Sequence, residues 1–287
     1  MSLVRMDYVL KKAQKGGYAV GAFNFPDLSS IQGIMQGAAA KNSPVIISPP
    51  VFTMDEMGEE MCIRCIETLT HEYPEIDVVC HLDHCSDFER IKRCIDYGFT
   101  SVMVDGSALP YDQNVELTCK VVDYASRFGV SVEAELGHIG GVEEDIVVDE
   151  RKALFTQPKQ ALEFVKATGI DALAIAVGTA HGFYKQKPKL DFERIAEIRA
   201  ITDCCLVLHG GSGVPDEDFK KAISLGITKI NVGTELKITG NFDVQKALFA
   251  EATHGDVRKI QHQVRIKTQE IVEHKIDVFG SAGKMAQ

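Results

Sequence analysis

Asp77-Val78-Val79-Cys80-His81-Leu82-Asp83-His84-Cys85 sets an acid and two imidazoles at the end of a short apolar run. Pro74 precedes the run and a polar, helix-starting segment follows it, so it reads as a buried strand. Side chains alternate faces along a strand, which puts His81 and Asp83 on one face and leaves His84 to begin the following turn. Asp83 and His84 can then both reach a ligand at the strand's carboxyl end. One imidazole makes no metal site, so the decisive question is whether other segments supply equivalent residues.

The same unit recurs on either side. Upstream, residues 5–16 form an amphipathic helix ended by Gly16-Gly17, and Tyr18 to Phe25 is an apolar strand with Asn24 near its end. Helix 28–41, strand Pro44 to Ser48 and helix 55–72 follow. Downstream, Asp87 caps helix 87–97, Gly98 ends it, and Ser101 to Asp105 is a strand with a carboxylate at its far end. Helix 113–128 and strand Val130 to Leu136 continue the alternation. Residues 137–156, with Gly137, Gly140-Gly141 and the acidic run Glu143-Glu144-Asp145, break it; the stretch is too long for a plain connection and reads as a glycine-hinged functional loop. Helix 158–168, strand Asp171 to Val177, helix 191–201, strand Cys205 to Leu208, helix 215–225 and strand Lys229 to Val232 restore the rhythm. Two helices, 235–252 and 256–274, finish the chain.

Eight nearly continuous apolar strands alternating with helices predict an α/β fold, a (β/α)8 TIM barrel with additional C-terminal helices. With no composition break, residues 1–287 are expected to make a single domain. A doubly wound sheet would place its glycine-rich turn after the first strand, whereas here such turns follow strands six, seven and eight.

The net charge of -10 and the absence of a dense Lys/Arg cluster argue against a nucleic-acid partner. No apolar run approaches the ~18 residues of a spanning helix, and the N-terminus lacks a signal-peptide pattern; a cytoplasmic protein without a membrane partner is expected. The eight cysteines lie mostly in apolar or helical segments and read as reduced core thiols. Cys62-Ile63-Arg64-Cys65 has redox or zinc-ribbon spacing, but it lacks a second pair and lies in a helical run.

In a barrel the carboxyl ends of the strands converge on one face. Those ends carry Asn24, Ser48, Asp83-His84, Asp105, Glu135, His181, His209 and Asn231. A lone buried histidine is more often a hydrogen-bonded core residue, but three at converging ends beside carboxylates reverse that reading. His84, His181 and His209 form a three-nitrogen set suited to Zn2+ with an open position for substrate. Asp105 and Glu135 either orient those imidazoles or catch a displaced metal, or else form salt bridges inside the barrel mouth. His71, His138, His254, His262 and His274 read as surface residues. His209-Gly210-Gly211-Ser212-Gly213 and Asn231-Val232-Gly233-Thr234 present backbone N–H groups and hydroxyls where barrels commonly bind phosphate.

Seven segments carry a resemblance that runs almost end to end: 17–24 (GYAVGAFN), 81–84 (HLDH), 98–107 (GFTSVMVDGS), 132–137 (VEAELG), 178–182 (GTAHG), 208–213 (LHGGSG) and 229–235 (KINVGTE). In these the chain resembles the class II, zinc-dependent fructose- and tagatose-bisphosphate aldolases. The resemblance implies an enzyme, a carbon–carbon lyase. It would cleave fructose 1,6-bisphosphate or tagatose 1,6-bisphosphate reversibly into dihydroxyacetone phosphate and glyceraldehyde 3-phosphate. By position it implies His84, His181 and His209 as zinc ligands, with Asp105 and Glu135 near the metal. Asp83 matches the acid/base on the hydroxyl at the cleaved bond, and Glu143 the proton-transfer carboxylate for the dihydroxyacetone phosphate carbon. Asn24, Gly182, Gly210, Gly211, Ser212, Asn231, Val232, Gly233 and Thr234 match substrate contacts. The resemblance also implies a monovalent cation, Na+ or K+, beside the phosphate, and a homodimer or homotetramer.

Three departures bear on the distal half of the substrate. Pro50 stands where relatives often carry a hydroxyl, and Ala108-Leu109 stands where many carry a histidine. Asp256-Val257-Arg258 is similar to an Asp-Pro-Arg segment whose arginine contacts the distal phosphate; Arg258 is equally readable as a surface arginine. Other substrates of the same mechanism therefore stay open, a ketose 1-phosphate or 6-phospho-5-dehydro-2-deoxygluconate among them. A non-catalytic phosphosugar-binding barrel is the third reading, and the intact Asp83 and histidine set speaks against it.

Overall fold

The computed structural model describes residues 3–143, 146–148, 155–184, 187–250 and 256–285. Its elements, in order, are α1 (Met6–Gly16), β1 (Val20–Asn24), α2 (Leu28–Ala40), β2 (Val45–Ser48), α3 (Val51–Met57), α4 (Glu59–Glu72), β3 (Val78–Cys85), α5 (Phe88–Tyr97) and β4 (Ser101–Val104). Next come α6 (Tyr111–Ser126), β5 (Ser131–Leu136), β6 (Gly140–Glu143), β7 (Ile146–Val148), α7 (Pro158–Thr168), β8 (Ala172–Ile175), β9 (Ala180–His181) and α8 (Phe192–Ile201). The chain ends with β10 (Cys205–Leu208), α9 (Asp216–Ser224), β11 (Ile227–Val232), a π-helix (Leu236–Phe242), α10 (Asp243–Ala250) and α11 (Val257–Phe279).

Eight parallel strands close into a barrel in the order β1-β2-β3-β4-β5-β8-β10-β11, as the apolar runs predict. Because both faces of these strands are covered, each has an inner and an outer set of side chains. Val20, Ala22, Ile46, Val79, Met103, Ala174 and Val207 fill the interior, and Met6, Val9, Leu10 and Ala13 of α1 pack beneath them. Val45, Ile47, Cys80, Leu82 and Leu206 face outward into the layer shared with the helices. With α1 packed against one end of the interior, polar side chains from the strands gather at the other.

The C-terminal helix α11 lies along α2. A Cβ at Gly33 would sit 2.6 Å from the Arg265 carbonyl oxygen, and one at Gly37 would sit 2.8 Å from Val272 Cγ1. Glycine at both positions is what lets the two backbones approach.

Four local readings need correction. The helix expected over 55–72 is two helices, because the chain turns at Gly58 with φ +91°, a conformation that only glycine adopts readily. The stretch read as a glycine-hinged loop contains strands: β6 and β7 pair antiparallel, and β6 also pairs with β9. The strand expected over 171–177 stops at Ile175, so His181 belongs to this separate small sheet rather than to the barrel. The helix expected over 235–252 begins as a π-helix. All eight cysteines are unbridged thiols, and burial pushes the Cys62 thiol pKa upward. Among the described residues no helix is long and apolar enough to cross a membrane.

Candidate metal centre and active site

β3 does not end at Asp83. It continues to Cys85 through a register shift between Leu82 and Cys85, and His84 inside this bulge takes φ +38°. The bulge turns the His84 ring toward the barrel mouth, where Nδ1 lies 2.8 Å from Asp105 Oδ2 and Nε2 lies 2.9 Å from His209 Nδ1. His181 packs edge-on against His84 at 5.0 Å between ring centres. Ligand atoms of His84, His181 and His209 all lie within 4.8 Å of one another, and so do those of His84, Asp105 and Glu135.

The hydrogen-bond partners show that the first set fits a cation. His209 Nε2 lies 2.8 Å from Glu133 Oε1, as His84 Nδ1 does from Asp105. Ionised carboxylates only accept, so each ring carries its proton on the nitrogen facing its carboxylate. That leaves lone pairs on His84 Nε2 and His209 Nδ1, facing each other at 2.9 Å. Two lone pairs at that distance repel unless a positive charge lies between or beside them. The donor set, three imidazoles with carboxylates behind two of them, suits Zn2+.

The carboxylates are built to stay charged. Burial pushes the Asp105 carboxyl pKa up, but hydrogen bonds from His84 and from the Ser107 hydroxyl and N–H outweigh it and hold the group below the usual range. Burial likewise acts on Glu133, and Lys229 and His209 overcome it. Lys229 Nζ is 2.9 Å from Glu133 Oε2, and both side chains are fully buried. His81 completes this floor, with Nδ1 2.8 Å from Ser101 Oγ; burial and the Lys229 charge lower its pKa to about 3.

Beside the imidazoles, Asp83 is 2% exposed and accepts from two amides, Asn24 Nδ2 at 2.8 Å on one oxygen and Asn231 Nδ2 at 3.0 Å on the other. Asn24 ends β1 and Asn231 lies near the end of β11, so three separate strands converge on one carboxylate. Burial keeps His209 uncharged, its pKa lowered despite the opposing Glu133 hydrogen bond.

The glycine-rich loops also meet here. The Ser212 hydroxyl accepts from Glu235 N–H at 3.0 Å, and Gly211 N–H donates to Asn231 O at 3.0 Å, tying the loop after β10 to the loop after β11. Gly210, at φ +68°, is wedged against β9, where a Cβ would meet the Ala180 carbonyl at 2.4 Å. The Tyr184 hydroxyl donates to Gly210 O at 2.7 Å and accepts from Ala180 N–H at 2.9 Å. A cavity of about 380 Å³ runs from Gly233 and Thr234 past Asn24 to Pro50, Phe52 and Glu56. A second, of about 440 Å³, is lined by His84, Asp105, Ala108, Glu135 and His138.

Asn24, Asp83, His84, Asp105, Glu135, His181, His209 and Asn231 are thus brought together, with Gly182, Val232, Gly233 and Thr234 in or next to the segments that flank them. The side chain of Glu143 lies outside the described residues, as does His254. Arg258 is not brought to either cavity by its own chain; its guanidinium is 91% exposed and folds onto Asp256, the N-cap of α11. His138, expected on the surface, instead helps line the cavity beside the metal cluster, with Nδ1 3.4 Å from Ser107 O. The sequence reading also passes over Glu133, Lys229 and Tyr184. For Glu133 and Lys229 a signal exists: each lies two residues before a site residue on its own strand, Glu135 or Asn231, and therefore shares its inward face.

Sequence and structure comparisons agree with this arrangement. The sequence model of the class-II fructose-bisphosphate aldolase family matches residues 4–284. The YdjI aldolase from Escherichia coli K12 superposes with a TM-score of 0.86 at 34% identity, over 99% of this chain and 99% of that one. A putative fructose-1,6-biphosphate aldolase from Coccidioides immitis gives 0.89 at 30% identity, over 98% of each chain. The fructose-bisphosphate aldolase of Campylobacter jejuni, 21% identical, shares the fold with a TM-score of 0.81 over 99% of this chain and 97% of its own. A closed parallel barrel, three clustered imidazoles beside an amide-held aspartate, and a family match across nearly the whole sequence lead to one assignment: the chain belongs to the class-II fructose-bisphosphate aldolase family and is an aldolase, a carbon–carbon lyase.

Proposed function

We propose that the enzyme reversibly cleaves a ketose phosphorylated at C1 into dihydroxyacetone phosphate and an aldehyde. Fructose 1,6-bisphosphate and tagatose 1,6-bisphosphate are the first substrates to test, and each would give glyceraldehyde 3-phosphate. His84, His181 and His209 would hold a zinc ion, which when bound would supply Lewis-acid stabilisation for the negative charge that develops on the substrate as the C3–C4 bond breaks. Asp83 takes the C4 hydroxyl proton, and the amides of Asn24 and Asn231 hold both its oxygens so that the carboxylate faces that hydroxyl in one orientation. Glu143, on β6, returns a proton to C3. Asp105 and Glu133 fix the tautomers in which His84 and His209 offer their lone pairs. The segments holding Gly182, Gly210, Gly211, Ser212, Val232, Gly233 and Thr234 take the C1 phosphate with N–H groups and hydroxyls, with a monovalent cation, Na+ or K+, beside it. A homodimer or homotetramer in the cytoplasm completes the reading.

The observation that carries this proposal is the juxtaposition of three imidazoles within 4.8 Å with an adjacent buried carboxylate held at both oxygens. The test is dihydroxyacetone phosphate release, coupled to a reductase, from a panel of ketose phosphates by zinc-loaded and chelator-treated enzyme. Turnover that disappears with zinc and returns on its replacement is expected; zinc-loaded enzyme inert toward the whole panel overturns the reading.

One observation favours a second substrate within the same chemistry. Beyond Asn24 the cavity is walled by Pro50, Phe52 and Glu56, and Lys237 is the single cation among its described lining residues. A carboxylate there repels a second phosphate and accepts from sugar hydroxyls, which suits a ketose 1-phosphate with an uncharged tail. Comparing kcat/KM for a ketose bisphosphate and its 1-phosphate, in wild type and Glu56→Gln, separates the two.

A further inference from the structure

Beneath the imidazoles lies a buried cation for which the reaction just described has no use. Lys229 points inward from β11 and is fully buried. Its Nζ lies 2.9 Å from Glu133 Oε2 and donates to Asn231 Oδ1 at 2.6 Å. From these two partners the contacts run on to different functional groups. Glu133 Oε1 accepts from His209 Nε2 at 2.8 Å, whereas Asn231 Nδ2 donates to Asp83 Oδ1 at 3.0 Å and lies 3.3 Å from His209 Nδ1. One ammonium is therefore the common stem of a branch to a metal-site imidazole and a branch to the carboxylate that takes the substrate proton.

The chemistry of each group makes the geometry directional. A lysine ammonium only donates. Asn231 must turn its oxygen toward Lys229, and its NH2 is then committed to Asp83; the reversed amide would set oxygen against carboxylate. Glu133 stays an acceptor because Lys229 lies against its other oxygen, so His209 must carry its proton on Nε2 and offer Nδ1 to the cluster. A buried ion pair by itself says little about stability, since apolar replacements are often tolerated. What distinguishes this one is that both of its outlets end on working groups.

We propose that Lys229 is a positioning residue for the aldol reaction, fixing at once the tautomer of His209 and the amide orientation of Asn231. The proposal rests on the functional reading above. Lys229 touches no substrate itself, so its loss acts on zinc affinity and on kcat, and on KM only through Asn231.

The test uses the full-length enzyme with Lys229→Met and Lys229→Met/Glu133→Gln, the second of which buries no unpaired charge. Zinc affinity is read by competition with a chromophoric chelator, without turnover, and kcat and KM are read at saturating zinc. Lys229→Met is expected to bind zinc about 10–100-fold more weakly, the usual effect of losing a partner behind a ligand. In the double variant the introduced amide oxygen can still accept from His209 Nε2, so zinc is expected to bind at least about threefold more tightly than in Lys229→Met, yet kcat stays at least about 30-fold below wild type because Asn231 still lacks its donor. A double variant whose kcat returns to within about threefold of wild type overturns the proposal, since Lys229 would then only neutralise Glu133. Failure of both variants to fold overturns it as well, because the pair would serve the barrel floor alone. Wild-type enzyme that binds zinc but cleaves no ketose phosphate would sink the functional reading instead, and the zinc measurement on Lys229→Met would still judge the His209 branch.

Discussion

Removing the carboxylate of Asp83 separates the two halves of the reaction. The side chain is 2% exposed, and its oxygens are occupied by the Asn24 and Asn231 amides, neither of which belongs to the imidazole set. Asp83→Ala leaves two amide donors facing a small polar space that water can fill, so the His84–His181–His209 cluster is expected to keep zinc at wild-type stoichiometry. A positioned acid/base group contributes about 10²–10⁴-fold, or about 3–5.5 kcal/mol of barrel-mouth catalysis at ~1.36 kcal/mol per tenfold; kcat for cleavage should fall by that factor. Asp83→Asn should do no better, because its carboxamide must turn an NH2 toward one of two NH2 donors, at a cost of about 1–3 kcal/mol for the unsatisfied group. The C4 hydroxyl on which Asp83 is proposed to act is absent from dihydroxyacetone phosphate. Exchange of the hydroxymethyl-carbon hydrogen of that product with solvent deuterium, followed by NMR, should therefore stay within about tenfold of wild type in Asp83→Ala. Cleavage that survives within tenfold, or exchange that collapses together with cleavage while zinc is retained, refutes the assignment.

Other perturbations address the metal, the floor and the frame. His209→Ala removes a proposed ligand and strips Glu133 of one partner, so zinc content after dialysis and cleavage should be lost together; metal-independent turnover would contradict the centre. His81 has a folded pKa of about 3 against about 6.5 unfolded, so the unfolded chain binds the extra proton between those values. That stability is complete above pH ~6.5 and drains as pH falls toward ~3, by on the order of 5 kcal/mol in total; urea midpoints of zinc-free protein should drop from pH 7.5 to 5, with a shallower slope in His81→Gln. Gly37→Ala drives a Cβ to 2.8 Å from Val272 Cγ1 and should destabilise by about 1–3 kcal/mol, lowering the melting temperature while kcat of the folded enzyme holds.

The barrel was legible because its strands are short apolar runs that end in polar residues, and nothing in their neighbours contradicts that pattern. Part of the histidine cluster was legible for the same reason: His84 and His209 sit at or just past barrel strand ends, where the topology brings them together, whereas His181 comes from the small sheet. The bulge at His84 was not, since strand alternation offers no warning of a positive φ that the pairing with β4 imposes. Glu133 and Lys229 were hidden by their setting, as a charged residue inside an apolar strand announces burial without naming its partner. The antiparallel β6–β7 pair had a readable signature, apolar residues on both sides of an acidic run, but Gly140-Gly141 drew the reading toward a hinge. His138 was set aside as a loop residue without partners, and only the tertiary path of that loop brings it beside Ser107 and the cavity.

The small sheet changes how the centre is held together. His84 and the His209 segment hang from barrel strands whose register the closed sheet enforces, but His181 is placed by β9, outside the barrel, with Gly141 of β6 as its ladder partner. Gly141 is followed two residues later by Glu143 on the same strand, so the backbone of the proposed proton carrier lies about 7 Å along the strand from the residue paired with a proposed zinc ligand. A one-residue slip of that pairing would turn alternate side chains to the opposite face, displacing Glu143 relative to His181. The segment carrying the proposed proton donor and the segment carrying the proposed third ligand are therefore one structural unit. The Tyr184 hydroxyl, bonded to both Ala180 and Gly210, fastens that unit to the glycine-rich loop after β10. Backbone pairing of β6 with β9 and the Tyr184 hydroxyl thus hold Glu143, His181 and the loop after β10 in one register.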